Sequence, residues 1–145
     1  MTIQTMTEME VEAVAGLEKQ IFSQPWSKES FLDALQGEYT CFLLAKEQER
    51  VVGYIGMYLS APEGEITNVA VDSKCRGNGV GTSLVQAMQK ESESSQISQI
   101  YLEVRDSNEA AIRLYQKCGF KEVGKRKNFY SFPREDARVM MWQRT

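Results

Sequence analysis

Hydrophobic and polar residues follow helical spacing near the start of the chain. After an opening apolar stretch at 3–6, which predicts a short strand, apolar residues recur at helical intervals from residue 11 to about residue 22. A second helical stretch extends to about residue 37. Thr7, followed by glutamate three residues later, predicts a capping box for the first helix, and Ser27 is a suitable N-cap for the second.

The pattern then changes to strands. Apolar runs at 40–46, 51–60 and 65–71 are separated by a charged turn at 47–50 and by a turn containing Pro62. Runs of this length, separated by short turns, are typical of consecutive antiparallel strands. We therefore expect an antiparallel meander in the middle of the first half.

Beyond residue 75 the chain alternates between helix and strand. An amphipathic helix begins at Val80, a buried strand covers 100–104, and a second helix covers 108–118 with Gly119 just after its end. Two strands, at about 122–126 and 137–142, complete the pattern. We expect one α/β domain over residues 1–145, with a mixed sheet of about seven strands, antiparallel first and parallel in the middle, and about four helices.

Composition restricts the chemistry that the chain can perform. The net charge of −3 offers no excess of lysine and arginine for a nucleic-acid backbone, and no apolar run is long enough to span a membrane. The chain has no histidine, which excludes Ser-His-Asp and Cys-His pairs and every histidine-ligated metal site. Its three cysteines form no Cys-x-x-Cys motif, and its opening residues do not resemble a secretory signal. We expect a cytoplasmic protein, without a metal, that is a monomer or weak oligomer and uses Asp, Glu, Tyr, Cys or Lys for acid–base work.

The turn before the helix at Val80 carries the most specific motif. Residues 76–81 read Arg-Gly-Asn-Gly-Val-Gly and connect the strand at 66–71 to that helix. Glycines let the backbone approach an anion closely, and the free amides at the start of a helix face that anion. The turn therefore predicts a pyrophosphate site.

Three known phosphate-binding motifs resemble this turn to different degrees. A Walker loop requires a lysine after the glycines, and none is present. A Rossmann motif requires a third glycine where this chain has Thr82, although Glu103 lies where its ribose-binding acid would be expected. The Arg/Gln-x-x-Gly-x-Gly/Ala turn of the GNAT acetyltransferases matches at every fixed position.

Downstream motifs strengthen the resemblance to GNAT acetyltransferases. The segments 101–108, 110–115 and 118–120 resemble the second half of a GNAT core. Together with Pro25-Trp26-Ser27 and the segments 68–72, 128–130 and 134–137, they are similar to the RimI-type branch, which acetylates the N-terminal alanine of a small-subunit ribosomal protein. The resemblance covers residues 3–142, and Phe129 departs from it in a segment that often reads Asn-Tyr-Tyr.

The resemblance implies a cofactor and a place for it. Acetyl-CoA would lie in the splay between the two central parallel strands, with its acetyl and pantetheine portions bound by backbone groups. Asn108 would bond the pantetheine arm, and the glycine turn would hold the pyrophosphate. The implied cofactor-binding residues are Val69, Ala70, Val71, Arg76, Gly77, Asn78, Gly79, Val80, Gly81, Thr82 and Asn108.

Glu103 is the candidate general base. It lies in an otherwise apolar strand, where desolvation raises the pKa of a carboxyl group, and RimI-like enzymes use a glutamate here. The structural alternative is a carboxylate that pairs with Arg105 or caps a neighbouring loop, and Glu65 on the neighbouring strand is the alternative base. By resemblance, Tyr115 is the candidate acid, although its spacing also suits a core tyrosine, and the amide of Val71 would stabilise the oxyanion.

Two aromatic residues are the candidates for the acceptor site. By resemblance, Trp26 and Tyr130 lie over the acceptor groove, although both are also ordinary packing aromatics. The resemblance implies a free protein N-terminus, the N-terminal alanine of a ribosomal protein, as acceptor. The alternatives are a lysine side chain or small amine as acceptor, or an acyl-CoA-binding sensor without turnover.

Overall fold

The computed structural model describes residues 1–145 and contains seven strands and four α-helices. Two short 3₁₀ turns, Glu8–Glu10 and Ser73–Cys75, precede the first and third helices. In chain order the elements are β1 (Thr2–Thr5), α1 (Val11–Ile21), α2 (Lys28–Leu35), β2 (Thr40–Glu47), β3 (Arg50–Ser60), β4 (Glu63–Val71), α3 (Val80–Ser94), β5 (Gln99–Arg105), α4 (Glu109–Lys117), β6 (Lys121–Ser131) and β7 (Arg134–Gln143).

All seven strands form one sheet in the order β1-β2-β3-β4-β5-β7-β6. Only β4 and β5 pair in parallel, and every other neighbouring pair is antiparallel. The predicted mixed α/β sheet, antiparallel first and parallel in the middle, is confirmed. None of the helices combines the length and the apolar character that a bilayer span requires.

The final hairpin is longer than its apolar pattern indicated. The predicted strands at 122–126 and 137–142 extend to Lys121–Ser131 and Arg134–Gln143, and the added pairs include Tyr130 with Glu135. Backbone hydrogen bonding continues there although β6 is exposed along almost its whole length. An exposed strand has no alternation of buried and polar residues, so the sequence pattern underestimated its length.

Local capping explains where the helices begin and end. The Thr7 amide donates to Glu10 Oε1 over 2.8 Å and completes the predicted capping box. Ser27 accepts from the Ser30 amide over 3.1 Å at the start of α2. Gly119, just after α4, has φ +93°, a conformation that glycine adopts without strain.

The sheet separates two hydrophobic cores. One core lies between the sheet and the pair α3 and α4, and it is the larger of the two. The other lies under α1 and α2 on the opposite face, and it is rich in aromatic residues. Its buried members are Met6, Val11, Val14, Leu17, Phe31, Ala34, Phe42, Leu44, Tyr54 and Ala70.

Candidate active site

The parallel strands β4 and β5 separate halfway along their length. They pair from Glu63 with Gln99 to Ile66 with Leu102, and the pairing stops there. Both strands nevertheless continue, β4 to Val71 and β5 to Arg105. The sheet therefore contains a wedge-shaped gap between residues 67–71 of β4 and the end of β5, where backbone groups lack a partner strand.

Two amides of β4 point into this gap. The Asp72 amide donates to the Val52 carbonyl of β3 over 2.8 Å. Successive amides of a strand point to opposite sides, so the amides of Val71 and Val69 face the gap. Ala70 was predicted to bind the cofactor through its backbone, but its backbone does not face the gap. Its carbonyl lies against Gly53 of β3, and its backbone groups are directed to that strand.

The glycine turn presents free amides at one end of the gap. Gly77 and Gly79 have φ values of +85° and +81°, and no atom lies within 4 Å of the position that a Cβ would occupy at either residue. Gly79 caps α3 without a side chain, and the first helical bond runs from the Ser83 amide to the Gly79 carbonyl over 3.0 Å. The four amides of residues 79–82 therefore have no acceptor within the helix, which gives an open, electropositive cradle for a phosphate group.

The remaining residues of 76–82 differ from Gly77 and Gly79 in what they can offer to an anion. A Cβ on Gly81 would lie 2.6 Å from Leu114 Cδ1, so this glycine allows α3 to pack closely on α4. The Val80 side chain is buried in the larger core. Both residues can offer only backbone groups to an anion, whereas Arg76, Asn78 and Thr82 are not buried, and Arg76 Nε donates to the Val71 carbonyl over 3.4 Å.

Asn108 lies at the start of α4 and acts as its N-cap. Its Oδ1 accepts from the Ala111 amide over 3.2 Å, and its Nδ2 has no hydrogen-bond partner within the chain. The side chain is exposed. A capping asparagine thus fixes the helix and still leaves a donor available to a ligand.

Glu103 lies on β5 at the gap and makes no hydrogen bond or ion pair. Burial raises the pKa of its carboxyl group, the nearby Glu65 carboxylate raises it further, and Arg126 opposes both effects. Glu103 does not pair with Arg105, whose Nη1 pairs instead with Glu135 Oε1 at 3.2 Å. Glu65 is exposed on β4 and lies near enough to act on Glu103.

Tyr115 projects from α4 into the larger core and its ring packs 5.8 Å from Phe120. Burial raises the pKa of its hydroxyl group, and Tyr130 and Cys118 raise it further. The hydroxyl group makes no hydrogen bond within the chain. Every fully buried side-chain polar atom in the structure does have a hydrogen-bond partner. The hydroxyl oxygen therefore reaches accessible space while the ring is buried.

Tyr130 connects the two candidate acid–base groups. Burial raises the pKa of its hydroxyl group, and Glu103 raises it further. The Arg105 guanidinium lies 4.3 Å from the centre of the Tyr130 ring. Glu103 therefore interacts electrostatically with Tyr130, and Tyr130 interacts with Tyr115. The fold brings all three predicted residues to one region.

Trp26 lies in the loop between α1 and α2 and packs against the smaller core. Its ring is 5.2 Å from that of Phe31 and 6.2 Å from that of Phe42. The same loop contacts the β6–β7 turn, where Ser23 Oγ donates to the Phe132 carbonyl over 3.4 Å. Trp26 is thus a packing residue in a loop that borders the site.

Several residues of the site were missed by the sequence analysis. Phe132 is 62% exposed on the β6–β7 turn. Arg105 Nη1 donates to the Pro133 carbonyl over 2.9 Å, and Arg105 Nη2 to the Phe132 carbonyl over 3.2 Å. These contacts join residues far apart in the chain, and no local pattern indicates them. Glu18 did have a local signal, because it is a carboxylate at helical spacing with the apolar residues of α1.

These features define a class of protein. A splayed pair of parallel strands offers backbone amides to an extended ligand, a glycine turn offers a phosphate cradle, and unpaired acid–base groups line the same gap. Such a site suits a nucleotide-linked thioester and the transfer of its acyl group to an amine. The model of the Acetyltransferase (GNAT) family matches residues 11–120, and the chain belongs to that family. It is an acetyl-CoA-dependent N-acetyltransferase.

Known proteins resemble the chain along nearly its whole length. The [ribosomal protein bS18]-alanine N-acetyltransferase of Haemophilus ducreyi is 31% identical, over 95% of this chain and 97% of that protein. The Escherichia coli protein of the same name is 30% identical, over 96% and 95% respectively. The crystal structure of the ribosomal-protein-S18-alanine N-acetyltransferase from Escherichia coli superposes with a TM-score of 0.89 and covers 98% of this chain and 92% of that one.

Proposed function

We propose that this N-acetyltransferase acetylates the N-terminal alanine of ribosomal protein bS18. The observation that carries the proposal is its end-to-end similarity to relatives with this activity in their names, including a shared fold at 30% identity. The similarity includes both the cofactor side and the loops that border the acceptor side. A ribosomal protein as acceptor places the reaction in the cytoplasm.

The charges beside the gap suit an amine acceptor. Glu103 makes no ion pair, and Glu65 lies nearby on the adjacent strand. Two carboxylates that make no ion pair attract a protonated amine, and an α-amino group has a pKa of about 7.7–8.0, so much of it is protonated at neutral pH. The first role of this acidic region is to bind the ammonium form of the acceptor.

Glu103 is the base in the proposed mechanism. Its raised pKa brings the proton affinity of the carboxylate closer to that of the acceptor amine, which eases removal of the ammonium proton, directly or through water. Glu65 raises the pKa of Glu103 and is the alternative base. The neutral amine would then attack the thioester carbonyl carbon and form a nitrogen–carbon bond. The nitrogen would release its second proton to water as the carbon–sulfur bond of the thioester breaks.

The remaining steps use groups on the other side of the gap. The Val71 amide donates to the carbonyl oxygen of the acetyl group as negative charge develops there. The raised pKa of Tyr115 keeps its hydroxyl group protonated at neutral pH, so it can donate a proton to the departing thiolate. The protonated base and the deprotonated tyrosine return to their starting states by exchange with solvent.

The chain's free backbone donors suit acetyl-CoA, which supplies the activated acetyl group when it is bound. The amides of residues 79–82 and the open space at Gly77 and Gly79 suit the pyrophosphate. The amides of Val69 and Val71 and the free Nδ2 of Asn108 suit the pantetheine arm.

Thiol release from acetyl-CoA tests the acceptor. Peptides that begin with the free N-terminal alanine of bS18 are compared with the same peptides blocked at the N-terminus, with lysine-containing peptides and with polyamines. Release with the free-alanine peptides alone, with mass spectrometry locating the acetyl group on the α-amine, supports the proposal.

Two outcomes contradict the proposed acceptor. Release only with lysine side chains or polyamines retains the enzyme class and replaces the acceptor. Stabilisation by acetyl-CoA without release from any amine in the panel makes the chain a sensor and removes both the acceptor and the roles of Glu103 and Tyr115.

A further inference from the structure

Glu18 is a buried carboxylate in a helix that is otherwise apolar on that side. It lies on α1 beside Val11, Val14 and Leu17, and only 2% of it is exposed. No lysine, arginine or chain terminus forms an ion pair with it. Burying a carboxylate without a cation is costly unless hydrogen bonds replace its hydration, so the partners of Glu18 indicate why it is there.

Its two oxygens accept from two different parts of the chain. Oε2 accepts from the Trp26 amide over 2.8 Å, in the loop between α1 and α2. Oε1 accepts a short hydrogen bond from the Tyr54 hydroxyl group of β3. That hydroxyl accepts from Asn68 Nδ2 over 3.3 Å, and Asn68 Oδ1 accepts from Thr67 Oγ over 2.6 Å.

The far end of this hydrogen-bonded chain lies at the point where β4 leaves β5. The last parallel pair is Ile66 with Leu102. Opposite Gly56 and Met57 of β3, β4 carries one extra residue, Thr67, because Gly56 pairs with Asn68 and Met57 with Ile66. This irregularity begins the segment of β4 that borders the gap, so Asn68 is held where the gap opens.

The near end fixes the loop that borders the acceptor side. Trp26 packs on Phe31 and Phe42, and the same loop reaches the Phe132 carbonyl through Ser23. One oxygen of Glu18 is therefore bonded to the α1–α2 loop. The other oxygen is linked through Tyr54 and Asn68 to the opening of the gap. A purely apolar residue at this position could pack equally well but could not make either bond.

We propose that Glu18 is a positioning residue that holds the α1–α2 loop in register with the opening of the β4–β5 gap, and so preforms the acceptor groove. The inference rests on the proposed placement of the acceptor beside this loop. Glu18 touches neither reacting group in this arrangement and acts through Trp26, Tyr54 and Asn68. Its loss should weaken acceptor binding and leave acetyl-CoA binding intact.

The double variant Glu18→Met with Tyr54→Phe tests this role. The Trp26 amide and Asn68 Nδ2 lose their acceptors in this variant, so it should unfold at a lower temperature than the wild type. The KM for the acceptor should rise about tenfold, because the loop loses its register with the gap. The KM for acetyl-CoA should change by less than about twofold.

Glu10→Gln is the matched control. Glu10 caps the other end of the same helix region through the Thr7 amide and hydroxyl group, at 2.8 and 3.0 Å, and bonds nothing near the gap. A glutamine keeps the oxygen that accepts from Thr7, so the unfolding temperature and the acceptor KM should both stay close to those of the wild type. If the double variant does not fold, Glu18→Gln keeps the shape and at least one bond, and its acceptor KM should rise about threefold with unchanged acetyl-CoA binding.

Equal changes of both KM values, or an unchanged acceptor KM in a folded double variant, overturn the proposal. The measurement uses whichever amine the wild-type enzyme acetylates best. If free-alanine peptides are not acetylated, the proposed acceptor fails in the wild type, before any variant is made. The role of Glu18 is then still tested with the amine that replaces them.

Discussion

The proposed cofactor side and the proposed acceptor side of this enzyme are built by different means. On the cofactor side, the predicted groups are backbone amides at a glycine turn and a helix start, and residues 76–82 are consecutive in the chain. On the acceptor side, the contacts join distant residues: Ser23 to Phe132 across 109 positions, and Glu18 to Tyr54 across 36. A local motif specifies the first, whereas only the completed fold specifies the second.

This difference has a consequence for how substitutions act. Amides of the backbone remain when side chains change, so the cofactor side is sensitive mainly to residues that alter backbone conformation. The acceptor side depends on side-chain hydrogen bonds and on a cation over an aromatic ring. Side-chain substitutions on the acceptor side should change the acceptor KM. Substitutions of the acid–base residues between the two sides should change turnover.

The largest effect is expected for Glu103→Gln, at the boundary between the two sides. Loss of a positioned base typically lowers turnover by 100-fold or more, so kcat for thiol release should fall by about 1000-fold. Because burial and Glu65 raise the pKa of Glu103, wild-type activity should be lost as pH falls through a value above that of an ordinary glutamate. The variant should lack this acidic limb when kcat/KM is followed against pH.

Glu65→Gln is the matched control for that experiment. Removing the Glu65 carboxylate lowers the pKa of Glu103, so the acidic limb should move to lower pH while activity near neutral pH persists. A Glu103→Gln variant with full activity and an unchanged limb contradicts the assignment. If the limb disappears in Glu65→Gln instead, Glu65 is the base.

Tyr115→Phe should have the next largest effect. The hydroxyl group makes no hydrogen bond in the chain, so its removal should leave the free energy of unfolding nearly unchanged. The kcat should fall by about 100-fold, because the leaving thiolate loses its acid, and the KM for acetyl-CoA should stay the same. Thiol release with saturating acceptor and thermal unfolding measure the two quantities. Unchanged turnover removes Tyr115 from the mechanism and leaves it as a core residue.

The sequence predicted the order and type of the main elements, because each had a local signal. The capping box at Thr7, the N-cap at Ser27 and the glycine after α4 all lie within a few residues of the ends they specify. The exposed β6 lacked such a signal, and its length was underestimated. Elements were predictable where a helix end or an alternating buried face left a pattern in consecutive residues.

The site was predictable only in part for the same physical reason. Glu103 was noticed because a carboxylate interrupts an apolar strand, and the turn because its glycines follow a motif. The orientation of Ala70 towards β3 depends on strand pairing, and the hydrogen-bond partners of the Arg105 side chain lie 27 or more positions away. Such features depend on the register between distant strands, which local patterns do not encode.

Gly79→Ala should affect the cofactor side alone. An alanine at φ +81° is strained by about 1–2 kcal/mol, and relief of that strain should disturb the amides of residues 79–82. The KM for acetyl-CoA should rise about tenfold and the acceptor KM should not change. Gly16→Ala is the control, since Gly16 lies in α1 with no atom within 4 Å of its Cβ position and should cause neither change. An acceptor KM that rises equally with Gly79→Ala contradicts the separation of the two sides.

The smallest effect is expected for Arg105→Lys, on the acceptor side alone. Arg105 bonds the carbonyls of Phe132 and Pro133, pairs with Glu135 and lies over the Tyr130 ring. A lysine has one compact ammonium group and cannot reproduce the planar arrangement of donors, so the β6–β7 turn should loosen. The acceptor KM should rise about threefold, with kcat and the KM for acetyl-CoA unchanged.

Arg138→Lys supplies the comparison for this last variant. Arg138 is about as exposed as Arg105 and pairs with Asp106 and Glu122. The same substitution at Arg138 therefore changes an ion-paired arginine that does not contact the Phe132 turn. Its acceptor KM should equal that of the wild type. If both lysine variants raise the acceptor KM alike, the effect comes from the loss of an arginine's planar donors at either position and not from the Phe132 turn. If only Arg105→Lys does so, the effect comes from the turn that Arg105 holds, as the long-range construction of the acceptor side requires.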